Sequence, residues 1–158
     1  YKEWIDLYHN NLKKPLEVKF IQANEKAKLP YQAHEGDACS DVYSVDEIDI
    51  QPGETKIVDT GLKVAFIPKG YKIEVYCRSG FGAKSILVPN APGQIDEGYR
   101  NNLKIILHNA SQKVLEVRPG DRIAQIALEE VIPVKYSWTD SYEDTERGTG
   151  GFGSSGIK

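Results

Sequence analysis

The chain has 158 residues, 40% of them hydrophobic and 27% charged, with a formal net charge of −3 and two cysteines. A domain of this size buries a core without disulfides or metal, and two cysteines make no disulfide framework, so a reducing compartment is the expected setting. The acidic balance argues against a general nucleic-acid binder, and no apolar run suits a membrane span or a signal peptide; the expectation is a soluble, cytoplasmic protein with no nucleic-acid or membrane partner.

Helical periodicity is confined to the start, where Ile5, Tyr8 and Leu12 share one face of residues 4–12, predicting a short N-terminal helix or arm within residues 1–15. Residues 16–140 read as one β domain. Pro52-Gly53, Pro68-Lys69-Gly70, Pro92-Gly93 and Pro119-Gly120 mark turns between short segments rich in β-branched and aromatic residues. Leu16 to Ile21 is the first of these. Asp37-Ala-Cys-Ser-Asp41 precedes a strand-like Val42 to Val45, and its two carboxylates suit either a hydrated divalent cation or an acidic turn. Lys56 to Asp59 and Leu62 to Ile67 are read as two further strands.

Tyr71, Ile73, Val75 and Cys77 then alternate with Lys72, Glu74, Tyr76 and Arg78, a period-two strand. Beyond it, Arg78, Ser79 and Gly80 enter a glycine-containing loop that suits a phosphate or simply ends the strand. Asn90 to Tyr99 looks like a hairpin-shaped pocket wall, with Asp96 a candidate base and Tyr99 a flat packing surface, or else a plain hairpin with an acidic tip. Leu103 to His108 is nearly continuous and is expected to be more buried. Arg122 to Leu128 carries Gln125 inside an apolar strand, where an amide needs a structural or a substrate partner. Many short strands at regular spacing predict an all-β sandwich or jelly roll.

Residues 141–158 read as a mobile glycine-rich arm. Arg147-Gly-Thr-Gly-Gly-Phe-Gly-Ser-Ser-Gly156 puts one guanidinium, one ring and several hydroxyls on a backbone that is mostly glycine. That combination suits phosphates and a base, or it is a plain flexible terminus. Gly148, Gly150 and Gly153 fit a dinucleotide fingerprint only by spacing, since too few residues follow for the helix it needs; a P-loop fails for the same reason.

Taken in order, five segments resemble the motifs of the trimeric dUTP pyrophosphatases (dUTPases): Ala38-Cys-Ser-Asp-Val42, Arg78-Ser-Gly80, Asn90 with Gly93-Gln-Ile-Asp-Glu-Gly-Tyr99, Gly120-Asp-Arg-Ile-Ala-Gln125, and the arm from Arg147. The resemblance implies a jelly-roll-like subunit, a homotrimer with shared active sites, and Mg²⁺-assisted hydrolysis of dUTP to dUMP and pyrophosphate. That reaction limits uracil in DNA and supplies dUMP for thymidylate synthesis. It also implies that Asp96 deprotonates the water attacking the α-phosphorus and that Tyr99 packs under the deoxyribose. Asn90, with the backbone of Gly93, Gln94 and Ile95, would read uracil. Arg78, Ser79, Gly80 and Gln125 would hold phosphates, and Asp41 would meet the hydrated metal through water. From the arm, Arg147 would take the γ-phosphate, Phe152 would cover the base, and Gly153, Ser154 and Ser155 would complete the phosphate contacts.

This chain departs from the family pattern in places. Cys39 stands at the usual glycine of the first motif, where a left-handed backbone would strain it, and Asn101 stands at a common glycine after Tyr99-Arg100. Asn102 replaces a residue that is commonly acidic or an amide. Two alternatives carry different activities: a nucleotide-gated interaction protein that uses the dUTP site as a switch, and a dCTP deaminase-like enzyme.

Overall fold

The computed structural model describes residues 2, 3, 5 and 15–157. Lys2, Glu3 and Ile5 are helical; the rest of the N-terminal segment expected to be helical lies outside the described residues.

Among the described residues, ten strands and one helical turn follow in order: β1 (Lys19–Gln22), β2 (Ser40–Tyr43), β3 (Ile48–Ile50), β4 (Thr55–Phe66), β5 (Tyr71–Tyr76), α1 (Ser79–Gly82), β6 (Ile86–Leu87), β7 (Gly93–Ile95), β8 (Asn102–Asn109), β9 (Leu115–Val117) and β10 (Arg122–Glu130). They form two four-stranded sheets, β1-β4-β8-β6 and β2-β10-β5-β7, with β3 and β9 paired as a ribbon. All the pairings are antiparallel. The architecture is the all-β, jelly-roll-like one that the turn spacing predicts.

Period-two alternation puts one face of each sheet into a common core. Ile73 and Val75 of β5 are buried against Val42, Ile123 and Ile126, while Leu103, Ile105 and Leu107 of β8 face inward with Val58 and Val64 of β4. The expectation of near-continuous burial in Leu103 to His108 is corrected. Lys104 is exposed and Ile106 and His108 are half-buried, because only one face of that sheet packs on the core.

The two strands expected on either side of Thr60-Gly61 are one 12-residue strand, β4. Its pairing with β8 shifts between Asp59 and Lys63, so the chain bulges there instead of turning. Gly61 makes the bulge possible: its φ is +67°, and a Cβ would lie 2.9 Å from the Cβ atoms of both Ala27 and Asn24. Thr60 secures the far side by donating its hydroxyl to the Leu103 carbonyl at 2.6 Å.

Asn109, fully buried at the end of β8, joins the β3–β4 and β8–β9 connections. Its Nδ2 donates to the carbonyls of Ile50 (2.8 Å) and Lys113 (2.7 Å), and its Oδ1 accepts from the amide and hydroxyl of Ser111. Its backbone carbonyl takes the Gly53 amide at 2.7 Å, and its own amide donates to the Glu54 carbonyl at 3.0 Å. Every polar group of this buried side chain is thereby satisfied.

Candidate active site

The sheet β2-β10-β5-β7 gathers four of the five segments singled out from the sequence. Asp41 lies on β2, Gln125 on β10, Arg78 just beyond β5, and Gly93, Gln94 and Ile95 on β7. Strand register makes Gln125 the neighbour of Asp41 on one side and of Tyr76 on the other.

Asp41 anchors the charged end of this row. Arg78 Nε donates to Asp41 Oδ1 at 2.9 Å, and Arg122 Nη1 lies 3.7 Å from Asp41 Oδ2. The Asp41 side chain is only 14% exposed, so the pair holds the Arg78 guanidinium in one orientation at the rim. Ser79 and Gly80 follow at once in the single turn α1. One partner of the Gln125 amide is structural: Nε2 donates to the Cys77 carbonyl at 3.1 Å, which uses one of its two hydrogens.

Two adjoining hollows open on this row. One of about 530 Å³ is lined by Cys39, Tyr76, Cys77, Pro92, Gln125 and Glu129, and one of about 230 Å³ by Tyr31, Asp37, Cys39, Asp41 and Gln125. Burial, aided by the negative charges of Glu129 and Asp41, pushes the Cys39 thiol up from its ordinary value. Cys39 is outside the left-handed region, where the described non-glycine residues are Ser85 and Phe152, so the strain expected at this position does not arise. The same holds for Asn101, whose side chain instead accepts the Asn102 amide at 2.8 Å.

On the neighbouring face, the Tyr76 hydroxyl donates to Glu74, which also meets Lys72 Nζ at 3.1 Å and accepts from Gln94 Nε2 at 3.3 Å. That bond is the main reason the Glu74 carboxyl sits below its usual range, with Lys72 next, and it pushes the Tyr76 phenol up to about 12. Gln94 therefore braces β7 against β5.

The Asn90 to Tyr99 stretch is not the self-paired hairpin that its sequence suggests. Pro92-Gly93 starts β7, which pairs with β5, and the chain then crosses to the other sheet as β8. Gly93 is needed where it stands: a Cβ there would be 3.1 Å from Asn90 Nδ2 and 3.2 Å from Val75 Cβ. Asn90 is thus packed against the start of β7.

Asp96 to Tyr99 form an exposed turn closed by the Tyr99 amide on the Asp96 carbonyl at 3.0 Å. The Tyr99 hydroxyl donates to the Asn102 carbonyl at 2.6 Å, and Arg100 Nη1 donates to the carbonyls of Glu97 and Tyr99.

Register separates the carboxylate from the guanidinium. Gly93 pairs with Val75 and Ile95 with Ile73, so β7 carries Asp96 toward the Lys72 end of β5, whereas Arg78 leaves the opposite end. Six residues of extended chain separate Lys72 from Arg78, roughly 20 Å along the strand. Asp41, Arg78 and Gln125 come together in one chain; Asp96 and Tyr99 stand apart from them.

The arm stands apart as well. Residues 132–149 are exposed throughout, as is Phe152, and every hydrogen bond made by residues 132–157, among the described residues, stays within that segment. Arg147 Nε donates to the Gly150 carbonyl at 2.8 Å, while Gly153, Ser154 and Ser155 form a turn at the tip.

Sequence reasoning missed Tyr76 and Glu74, which read only as members of an alternating strand, and gave no role to Arg122, although it lies inside the fourth motif. Asp59 carried no local signal. Among the described residues, no group of three or more His, Cys, Asp or Glu side chains is placed to hold a metal, and no helix is long and apolar enough to cross a membrane.

Comparison with known proteins follows the same lines. A family model described as dUTPase matches residues 25–156. A deoxyuridine 5′-triphosphate nucleotidohydrolase from Clostridium novyi is 42% identical over 86% of this chain and 96% of its own length. The enzyme of that name from Zymomonas mobilis is 42% identical over 92% of this chain and 100% of its own. Among solved structures, a mutant dUTPase of Staphylococcus bacteriophage 80alpha with dUpNHpp superposes with a TM-score of 0.80 at 25% identity, covering 89% of this chain and 99% of that one. Motifs, fold and relatives along the whole length of the domain agree, and the chain belongs to the dUTPase family.

Proposed function

We propose that this chain hydrolyses dUTP to dUMP and pyrophosphate by attack of water on the α-phosphorus. Asp96, exposed in its turn, accepts the proton of the attacking water. Tyr99 lies beneath the deoxyribose and leaves no space for a 2′-hydroxyl, while Asn90 and the backbone of Gly93, Gln94 and Ile95 read the uracil edge. Arg78, held by Asp41, takes phosphate oxygens with Ser79, Gly80 and Gln125. Arg147, Phe152, Gly153, Ser154 and Ser155 close over the bound nucleotide. Phosphoryl chemistry of this kind needs positioning and charge neutralisation more than a covalent nucleophile.

Magnesium fits as an ion that arrives on the triphosphate. The described side chains provide no cage for it, and both oxygens of Asp41 already face arginines, which leaves a contact through water. When bound, the ion neutralises charge on the phosphates and on the leaving pyrophosphate. A dUTPase of phage phi11, alike in fold at a TM-score of 0.73, is described with a coordinated structural Mg(II) ion.

The assembly we propose is a homotrimer whose sites are shared. Its support is the strand register, which keeps Asp96 some 20 Å from Arg78 of the same chain. A site containing both therefore draws on two subunits, and an arm that, among the described residues, makes no hydrogen bond to its own sheet is free to reach a partner subunit's site. The two free cysteines accord with a cytoplasmic setting. The relatives named above are nucleotidohydrolases by name, and on that ground the gated-interaction and deaminase alternatives are not favoured.

The observation that carries the reading is the convergence of Asp41, Arg78 and Gln125 on one sheet in a chain of this family. Pyrophosphate release measured with dUTP beside dTTP, dCTP and UTP tests it. Release confined to dUTP is expected; comparable release from dCTP or UTP, or none from dUTP, refutes it.

A further inference from the structure

Asp59 stands at the β4 bulge, outside every segment that resembles a family motif. Its Oδ1 accepts the Gly61 amide at 2.8 Å, and its two oxygens take Asn102 Nδ2 at 3.3 and 3.0 Å. Its backbone is fixed on both sides, since its amide donates to Asp46 Oδ2 at 2.8 Å and its carbonyl accepts the Val45 amide at 3.0 Å. Asn102 in turn offers its carbonyl to the Tyr99 hydroxyl at 2.6 Å. Two hydrogen bonds thus run from the packed body to a ring that is 36% exposed. Among the described residues, the hydroxyl bond is the sole hydrogen bond of the Tyr99 side chain.

The placement has a physical reason. Asp59 pairs with Lys104 and Lys63 with Asn102, so three residues of β4 stand opposite Leu103 alone. The β4–β8 ladder is interrupted just where β8 begins and the Asp96 to Tyr99 turn is attached. The carboxylate–amide bond bridges that gap, and a bond to an ionised acceptor is stronger than a neutral one.

The geometry points to Asp59, acting through Asn102, as the residue that positions Tyr99 and so sets how strictly the site takes a 2′-deoxy sugar. This rests on the reading of Tyr99 as the floor beneath the sugar. Asp59 is a positioning residue: it touches neither the nucleotide nor the attacking water. Freed of the tether, the ring shifts and the space denied to a 2′-hydroxyl opens.

The test compares kcat/KM for dUTP and UTP in Asp59→Ala, Asn102→Ala and Asp59→Asn. Asn102→Ala leaves the Asp59–Gly61 bond intact and keeps the experiment decisive if Asp59→Ala folds poorly. Both alanine variants are expected to narrow the dUTP/UTP ratio about tenfold, the worth of one hydrogen bond to a charged group. Asp59→Asn retains an oxygen for Gly61 and presents Nδ2 to an Asn102 amide turned to accept, so its ratio stays within about twofold of wild type. Tyr99→Phe is expected to match Asn102→Ala, and the double variant to lose no more than either alone, because both cut one path. A wild-type ratio in active Asn102→Ala overturns the proposal. Equal losses for both nucleotides with a lowered Tm and no rescue by Asp59→Asn overturn it too, since that is a structural role only. Wild-type protein that leaves dUTP intact refutes the function itself, and the positioning role falls with it.

Discussion

A mixing experiment puts the strand register to work. In the proposed homotrimer, Asp96→Asn removes the proposed base from every subunit, and Arg78→Ala removes a proposed phosphate ligand from every subunit. Because β7 and β5 hold these two residues roughly 20 Å apart in one chain, a site that uses both takes Asp96 from one subunit and Arg78 from the next. Around a closed three-fold ring, each mixed trimer, whichever subunit is in excess, then has about one productive site in three, where an Arg78→Ala chain lends Asp96 to an Asp96→Asn chain that lends Arg78. Across random, unselected assembly at equal amounts the recovery is about a quarter of wild-type activity per subunit. The assay is pyrophosphate release from dUTP after co-refolding, with two affinity tags used in series to isolate mixed trimers. Confirmed mixed trimers that stay as inactive as their parents refute the shared site, since a site built within one chain is damaged in every subunit.

Asp96→Asn alone is expected to keep the fold and nucleotide binding while lowering turnover by about 10²–10⁴, checked by steady-state rates beside a binding titration. Gly61→Ala should cost about 2–4 kcal/mol, combining a left-handed alanine with overpacking against Ala27 and Asn24, read as a lowered urea midpoint at unchanged m. The Tyr76–Glu74 bond makes stability fall on both sides of neutrality. Tyr76, protonated in the fold up to about 12, contributes stability that is intact below the ordinary tyrosine pKa of 10.0 and lost as pH rises through 12. Glu74, held low by that same bond, contributes stability present above 4.5 and lost as pH falls through its lowered value. Urea midpoints across pH should fall at both extremes, and fall less at both in Tyr76→Phe.

How much of this was legible in the sequence depended on the range of the interaction responsible. The alternation from Tyr71 to Arg78 announced β5 because each residue carries its own face in its polarity, and Gln125 advertised itself as an amide inside an apolar strand. The division into Lys56 to Asp59 and Leu62 to Ile67 fails for the opposite reason. Glycine signals a turn locally, yet here its positive φ serves a bulge that continues the strand, chosen by the close approach of Ala27 and Asn24. Pro92-Gly93 likewise suggested a hairpin closing on itself, whereas β7 takes its partner from β5. The charged row of Asp41, Arg78 and Gln125 was named residue by residue, but the bond between the first two joins positions 37 apart and has no local signature. Asp59 was invisible on the same ground, since its meaning lies entirely in Asn102, 43 residues away.

Asn109 gives the opposite end of β8 a distinct mechanical character. One side chain ties the last carbonyl of β3 to the turn before β9, while its backbone grips the turn that leads into β4. These two connections share hydrogen bonds through a single buried residue, so neither can fray alone without stranding polar groups away from water. Such loops lose the usual freedom of surface turns to open and reclose independently. The amides of Gly53, Asn109 and Ser111, which donate within this network, are therefore expected to exchange with solvent more slowly than those of the other surface turns.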